Sequence, residues 1–256
     1  MSNIKKAFEN GKAFVGFITC GFPNIDVTEK IIYEMAENGA DLIELGIPFS
    51  DPTAEGPVIQ NANEIALKNG VTTDKIFDLV EKVRKNTDVP MVFMTYANVV
   101  FSYGIEKFVK KSAELKMDGI ILPDIPFEEK EEFSSVCKEY GLDFISLIAP
   151  TSKNRIEMIA KEASGFVYCV SSLGVTGTRS NISTDVKIMV DTVKKHTDIP
   201  CAVGFGISNE SQAKEISQCA DGVIVGSAII KICEQYGEDS PKYVGEYVKK
   251  MKISIS

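Results

Sequence analysis

Eight short apolar runs, each followed by an amphipathic stretch, constrain this chain more than any other feature. The runs are Ala13–Thr19, Asp41–Leu45, Met91–Thr95, Gly119–Leu122, Asp143–Leu147, Gly165–Val170, Cys201–Gly204 and Gly222–Val225. They are nearly continuous in Val, Ile, Leu and Phe, the pattern of parallel strands buried on both faces. Between them, Asp26–Asn38, Thr73–Lys85, Ile105–Leu115 and Lys187–Lys195 carry apolar residues at helical spacing with charges between. Internal echoes reinforce the pattern. Ala40-Asp41-Leu42-Ile43-Glu44-Leu45-Gly46 resembles Met117-Asp118-Gly119-Ile120-Ile121-Leu122-Pro123, and both resemble Ala220-Asp221-Gly222-Val223-Ile224-Val225-Gly226. Repeated βα units without a long linker predict an α/β chain, a (β/α)8 TIM barrel with extra short helices, forming one domain over residues 1–256. A doubly wound open sheet is the alternative, but no GxGxxG follows the first run.

Composition removes several chemistries. Lys plus Arg is 28 against 36 Asp plus Glu, a formal −8, so the basic face of a nucleic-acid binder is not expected. One His in the whole chain leaves most zinc and non-haem iron sites short of imidazoles. That residue, His196, follows Lys194-Lys195 at an expected helix end and suits a solvated position there better than a catalytic triad. The six cysteines form no CxxC pair and read as buried thiols of a reducing compartment. Lys5 and Lys6 before the apolar run Ala13–Phe22 imitate a signal peptide, but Glu9 and Lys12 intervene and no small-residue cleavage site follows. No stretch reaches the ~18 apolar residues of a membrane span, and a cytoplasmic address is expected. No lysine lies in a run, so a Schiff-base aldolase would lack its nucleophile.

In a TIM barrel, the functional side chains sit at the C-terminal ends of the strands and in the loops that follow. Glu44 lies inside the second apolar run. A carboxylate there is costly unless it is paired or needed. It is either a structural ion pair or an acid–base group whose burial raises its pKa toward a useful value. The loop after it, Ile47 to Pro57, is stiffened by prolines and carries a second carboxylate, Glu55. Two carboxylates at one mouth can divide acid and base roles, although a lone loop Glu is ordinarily solvated. The seventh and eighth runs end in Gly204-Phe205-Gly206-Ile207-Ser208 and Gly226-Ser227-Ala228. These are simple turns or a phosphate cradle of backbone N–H groups and a helix N-terminus. After the sixth run, the glycine-punctuated stretch around Thr176, Gly177 and Arg179 is a candidate lid or an ordinary surface loop. The residues alone lead to carboxylate acid–base chemistry on a phosphorylated small molecule, without cofactor or metal.

Taken together, several stretches resemble the tryptophan synthase alpha chain family. They are Glu44-Leu45-Gly46-Ile47-Pro48-Phe49-Ser50-Asp51-Pro52, Gly56-Pro57-Val58-Ile59-Gln60, Met94-Thr95-Tyr96-Ala97-Asn98, Pro123-Asp124-Ile125-Pro126, Gly174-Val175-Thr176-Gly177, Val203-Gly204-Phe205-Gly206-Ile207-Ser208 and Val225-Gly226-Ser227-Ala228. The resemblance implies retro-aldol cleavage of indole-3-glycerol phosphate to indole and glyceraldehyde 3-phosphate. It implies that Glu44 protonates indole C3 and then helps deprotonate the glycerol hydroxyl, while Glu55 engages the indole N–H. It assigns Gly177, Gly206, Gly226 and Ser227 to the phosphate, and Phe17, Ile59, Tyr96, Tyr168 and Phe205 to the indole pocket. Thr176, with Arg179 in the same lid, would orient Glu44. It also implies a pyridoxal-phosphate beta chain as partner in an α2β2 heterotetramer, with Asp51, Pro52, Asn98 and Asp124 facing it. A stand-alone lyase, a weakly active activator of the beta chain and another phosphate-binding barrel isomerase are the alternatives. The chain departs from the usual family pattern at Glu55, commonly Asp, at Thr53, commonly Leu, and at Phe22 and Leu173.

Overall fold

The computed structural model describes residues 2–150, 153–170, 182–204 and 206–256. Among them nine parallel strands form one sheet: β1 (Ala13–Thr19), β2 (Leu42–Gly46), β3 (Met91–Met94), β4 (Gly119–Ile121), β5 (Asp143–Phe144), β6 (Ser146–Ile148), β7 (Val167–Val170), β8 (Cys201–Gly204) and β9 (Gly222–Val225). Their order is β5-β4-β3-β2-β1-β9-β8-β7-β6. The two ends of that order are neighbours in the chain. β5 pairs with β4, β6 pairs with β7, and only Ile145 separates them. Ile145 itself donates its N–H to Ile120 O, at 2.9 Å. The fifth apolar run is therefore one barrel stave in two pieces, and the nearly closed sheet has the eight staves expected of a TIM barrel.

The barrel interior follows from strand alternation. Val15, Leu42, Val92, Ile121, Ile145, Phe166, Ala202 and Ile224 form one interior cluster, a single residue from each stave, with Ile4 and Ala7 of the N-terminal 3-10 turn beneath them. Residues of the opposite parity, such as Phe14, Ile43 and Phe93, join the larger cluster between sheet and helices. Two residues further along each stave, the same parity brings Phe17, Glu44, Met94, Leu147, Tyr168, Gly204 and Gly226 toward the C-terminal mouth. Large and small side chains alternate there. A Cβ added at Gly46 would fall 2.7 Å from the Phe17 ring, and one at Gly204 would fall 2.6 Å from the Tyr168 hydroxyl. Both glycines therefore admit an aromatic ring.

The helices start where local chemistry allows. Asn24 caps α1 (Ile25–Glu37) by accepting from Val27 N–H, Thr72 caps α3 (Thr73–Val83), and Pro57 opens α2 (Pro57–Lys68). The helix expected over Lys187–Lys195 begins earlier, as α8 (Ile182–Lys194). The repeated Asp of the sequence echoes acquires a shared purpose at the barrel floor. Asp41, Asp118 and Asp221 accept the backbone N–H of Phe14, Met91 and Cys201, each near the start of the preceding neighbour strand. Each also pairs with a cation, respectively Lys252, Arg84 and Lys194. His196 lies just past α8 and its Nδ1 is 3.8 Å from Glu157. Five cysteines are buried and Cys219 is half-buried. No described helix is long and apolar enough to cross a membrane.

Candidate active site

Glu44 reaches the mouth because β2 alternates, with Leu42 below it in the interior cluster. Its partners in register are Phe17 on β1 and Val92 on β3. The side chain is fully buried, and neither carboxylate oxygen has a hydrogen-bond partner among the described residues. Of the two readings of this carboxylate, an ion pair is therefore not made within that set. Burial pushes the carboxyl up to about 8, so near neutrality it is predominantly protonated and able to donate.

Glu55 hangs over the same mouth from the loop between β2 and α2. Tyr96, at the start of α4 (Ala97–Tyr103), donates its hydroxyl to Glu55 Oε2 at 2.8 Å and accepts the Ala54 N–H at 2.9 Å. The Tyr96 ring is buried and stacks on Phe49, 5.2 Å between centroids. Burial pushes Glu55 up to about 7, with the Tyr96 hydrogen bond opposing and the Asp124 charge adding to the rise. Tyr168 lies near both carboxylates. Burial first, then the charges of Glu44 and Glu55, hold its phenol well above the ordinary range. Two acids in one mouth are thus both raised by burial. The Tyr96 hydrogen bond favours the ionised form of Glu55 alone, an arrangement in which the two carboxyls can divide donor and acceptor roles.

Beyond β1, the ends of β8 and β9 bring Gly206, Gly226 and Ser227 to the rim. Gly226 caps α10 (Ser227–Tyr236), whose first N–H groups have no helical acceptor. Ser227 is exposed and Gly226 half-buried. Gly206 has φ of +77°, a left-handed turn that a side chain would strain. Phe17 lies beside this rim, since a Cβ at Gly226 would meet it at 3.2 Å. Ile59 sits half-buried on α2. Gly177, Thr176, Arg179 and Phe205 lie outside the described residues.

Asp51, Asn98 and Asp124 are exposed, whereas Pro52 is buried. Asp51 and Pro52 line a groove of about 910 Å³ between the β2–α2 loop and α2. Asp124 also turns inward, accepting the Ala97 N–H with both oxygens at 3.1 Å. Sequence reasoning passed over Met94 and Leu147, half-buried residues that pack on the interior cluster, and Thr19. The Thr19 hydroxyl is buried without a partner among the described residues. All three share the parity of Glu44 or Phe17 on their own staves, so extending the alternation around the barrel would have found them.

Comparison with known proteins gives a consistent result. The family model described as tryptophan synthase alpha chain matches residues 2–254. A tryptophan synthase alpha chain of Lacticaseibacillus casei is 44% identical over 255 residues, covering 100% of this chain and 96% of its own length. One from Halalkalibacterium halodurans is 46% identical over 261 residues, covering 100% and 98%. Among solved structures, tryptophan synthase subunit alpha from Legionella pneumophila aligns with a TM-score of 0.90 at 35% identity, covering 100% of this chain and 98% of that one.

Proposed function

Because the chain belongs to the tryptophan synthase alpha chain family, we propose that Glu44 and Glu55 together cleave indole-3-glycerol phosphate by acid–base catalysis. The family's activity is a carbon–carbon lyase step of tryptophan biosynthesis. The observation that carries the assignment is the buried Glu44 carboxyl, without a partner among the described residues and raised to about 8. Protonated Glu44 delivers its proton to indole C3, and positive charge develops on the ring. Ionised Glu55 accepts the indole N–H and stabilises that charge. Glu44, now a carboxylate, takes the proton of the glycerol hydroxyl next to the breaking bond. The carbon–carbon electron pair returns to the ring, indole leaves, and the hydroxyl carbon becomes the aldehyde of glyceraldehyde 3-phosphate. The proton borrowed from Glu44 is restored, so no external acid, base or redox partner is needed.

The phosphate is held by N–H groups around Gly177, Gly206, Gly226 and Ser227. The formal charge of −8 works against an anion, so local dipoles must supply the attraction. Phe17, Ile59, Tyr96, Tyr168 and Phe205 surround the indole, and Thr176 and Arg179 belong to a lid over it. The partner is a beta chain, assembled as α2β2 in the cytoplasm against the face carrying Asp51, Pro52, Asn98 and Asp124. The test is to incubate the purified chain with indole-3-glycerol phosphate, with and without a beta chain, and assay indole. Glu44→Gln is expected to lose more than ~100-fold in cleavage rate, within the range of general acid–base groups. Near-normal activity in that variant would remove Glu44 from the mechanism.

A further inference from the structure

We propose that Tyr96 is the positioning residue for Glu55, and that Asp124 fixes Tyr96 in turn, so that a side chain on the outer rim sets the geometry of the second carboxylate. The inference rests on the reading of Glu55 as the group that meets the indole N–H. A loop glutamate has three side-chain torsions, and an exposed one would sample many positions. Here one hydroxyl limits that freedom from two sides. Tyr96 Oη donates to Glu55 Oε2 at 2.8 Å and accepts from Ala54 N–H at 2.9 Å, tying the carboxylate and the backbone just before it to the same atom. A residue that only lined an apolar pocket would present its ring and leave the hydroxyl elsewhere.

The tyrosine is itself held. Its ring stacks on Phe49 at 5.2 Å, and the next residue, Ala97, donates its N–H to both oxygens of Asp124 at 3.1 Å. Asp124 is exposed, so the relay runs from the rim surface through the first turn of α4 into the mouth. The extra methylene of Glu55 also gains a purpose. It lets the carboxylate span from its loop to a tyrosine on a neighbouring stave while the backbone before it stays bound to the same hydroxyl.

Among the described residues, the charged or titratable groups that act on Glu55 are Tyr96 from the start of α4, Asp124 from the turn after β4 and Tyr168 from β7, which also faces Glu44. Two of these influence Glu55 in opposite directions. The Tyr96 hydrogen bond favours its ionised form, and the Asp124 charge disfavours it.

The experiment uses the full chain with 13C-labelled glutamate, following the Glu55 carboxyl by NMR titration alongside kcat and KM for indole release. Tyr96→Phe keeps the ring and its stacking. Its kcat is expected to fall between about 10- and 100-fold, as for a displaced catalytic group, with KM changing less than about threefold. The Glu55 titration should move upward in Tyr96→Phe and downward in Asp124→Asn. An intact kcat with a raised KM in Tyr96→Phe would make Tyr96 a pocket wall and overturn the proposal. So would an unmoved Glu55 titration in that variant. If Tyr96→Phe does not fold, Asp124→Ala decides by rate. Removing the acceptor of the Ala97 N–H should lower kcat with KM little changed, and an unchanged kcat there breaks the relay. Full activity in Glu55→Ala would instead sink the catalytic reading of Glu55, while the titrations still report on Tyr96.

Discussion

Replacing Glu44 by Gln separates what this residue does for chemistry from what it costs the fold. In the native chain the carboxyl is fully buried, without a partner among the described residues, and raised to about 8. In the unfolded chain a glutamate titrates near ~4.3. Between those values the native state holds a proton that the unfolded state has released. The stability contributed by the neutral native form is complete below the unfolded value and is lost as pH rises toward the native one. The slope is about 1.4 kcal/mol per pH unit. Glutamine has nearly the same shape and does not titrate, so the Gln variant escapes this loss. The stability gap between variant and parent should therefore widen by about 3 kcal/mol in the variant's favour between about pH 5.5 and about pH 7.5. Other titrating groups cancel in that difference when they are not coupled to Glu44. Urea unfolding of both proteins at both pH values, followed by circular dichroism, measures it. A gap that stayed constant within about 0.5 kcal/mol would refute the reasoning, because Glu44 would then ionise as readily in the native mouth as in water.

Three further outcomes are expected. The pH profile of kcat/KM should be bell-shaped, with an acid limb near about 7 as Glu55 ionises and an alkaline limb near about 8 as Glu44 loses its proton; a flat profile across that range would dissociate both groups from the reaction. Glu55→Asp should keep activity and Glu55→Ala should lose it, read as indole release, and a fully active alanine variant would take Glu55 off the catalytic assignment. Asp118→Asn leaves an acceptor for Met91 N–H but removes the charge beside Arg84, a pair only 3% and 10% exposed. Denaturant unfolding should show a loss of about 3 kcal/mol, the cost of leaving one buried charge unpaired.

Much of the site was legible because a parallel strand has a period of two. Once Glu44 is placed on an interior face, Leu42 must lie beneath it and Gly46 above, and the same counting brings Phe17, Tyr168 and Gly226 to one mouth. The conformational demand at Gly206 and the helix start at Ser227 were likewise written locally. Tyr96 and Asp124 were harder. Their residue types fit a pocket wall and a surface acid, and only the packing shows the tyrosine hydroxyl bound to Glu55 and the aspartate turned onto Ala97.

By itself, then, the sequence determined the repeating βα units and offered the two carboxylates as candidates, because these depend on spacing and residue type along the chain. It also carried the thrice-repeated Asp ahead of a strand, without its meaning. Tertiary structure decided that each such Asp clasps the start of the neighbouring strand, and that Asp143–Phe144 and Ser146–Ile148 join as the stave that nearly closes the barrel. It also decided how far each carboxyl is pushed toward its protonated form. That last property is set by desolvation and by charges from distant segments, and no local pattern encodes how deeply a side chain will be buried.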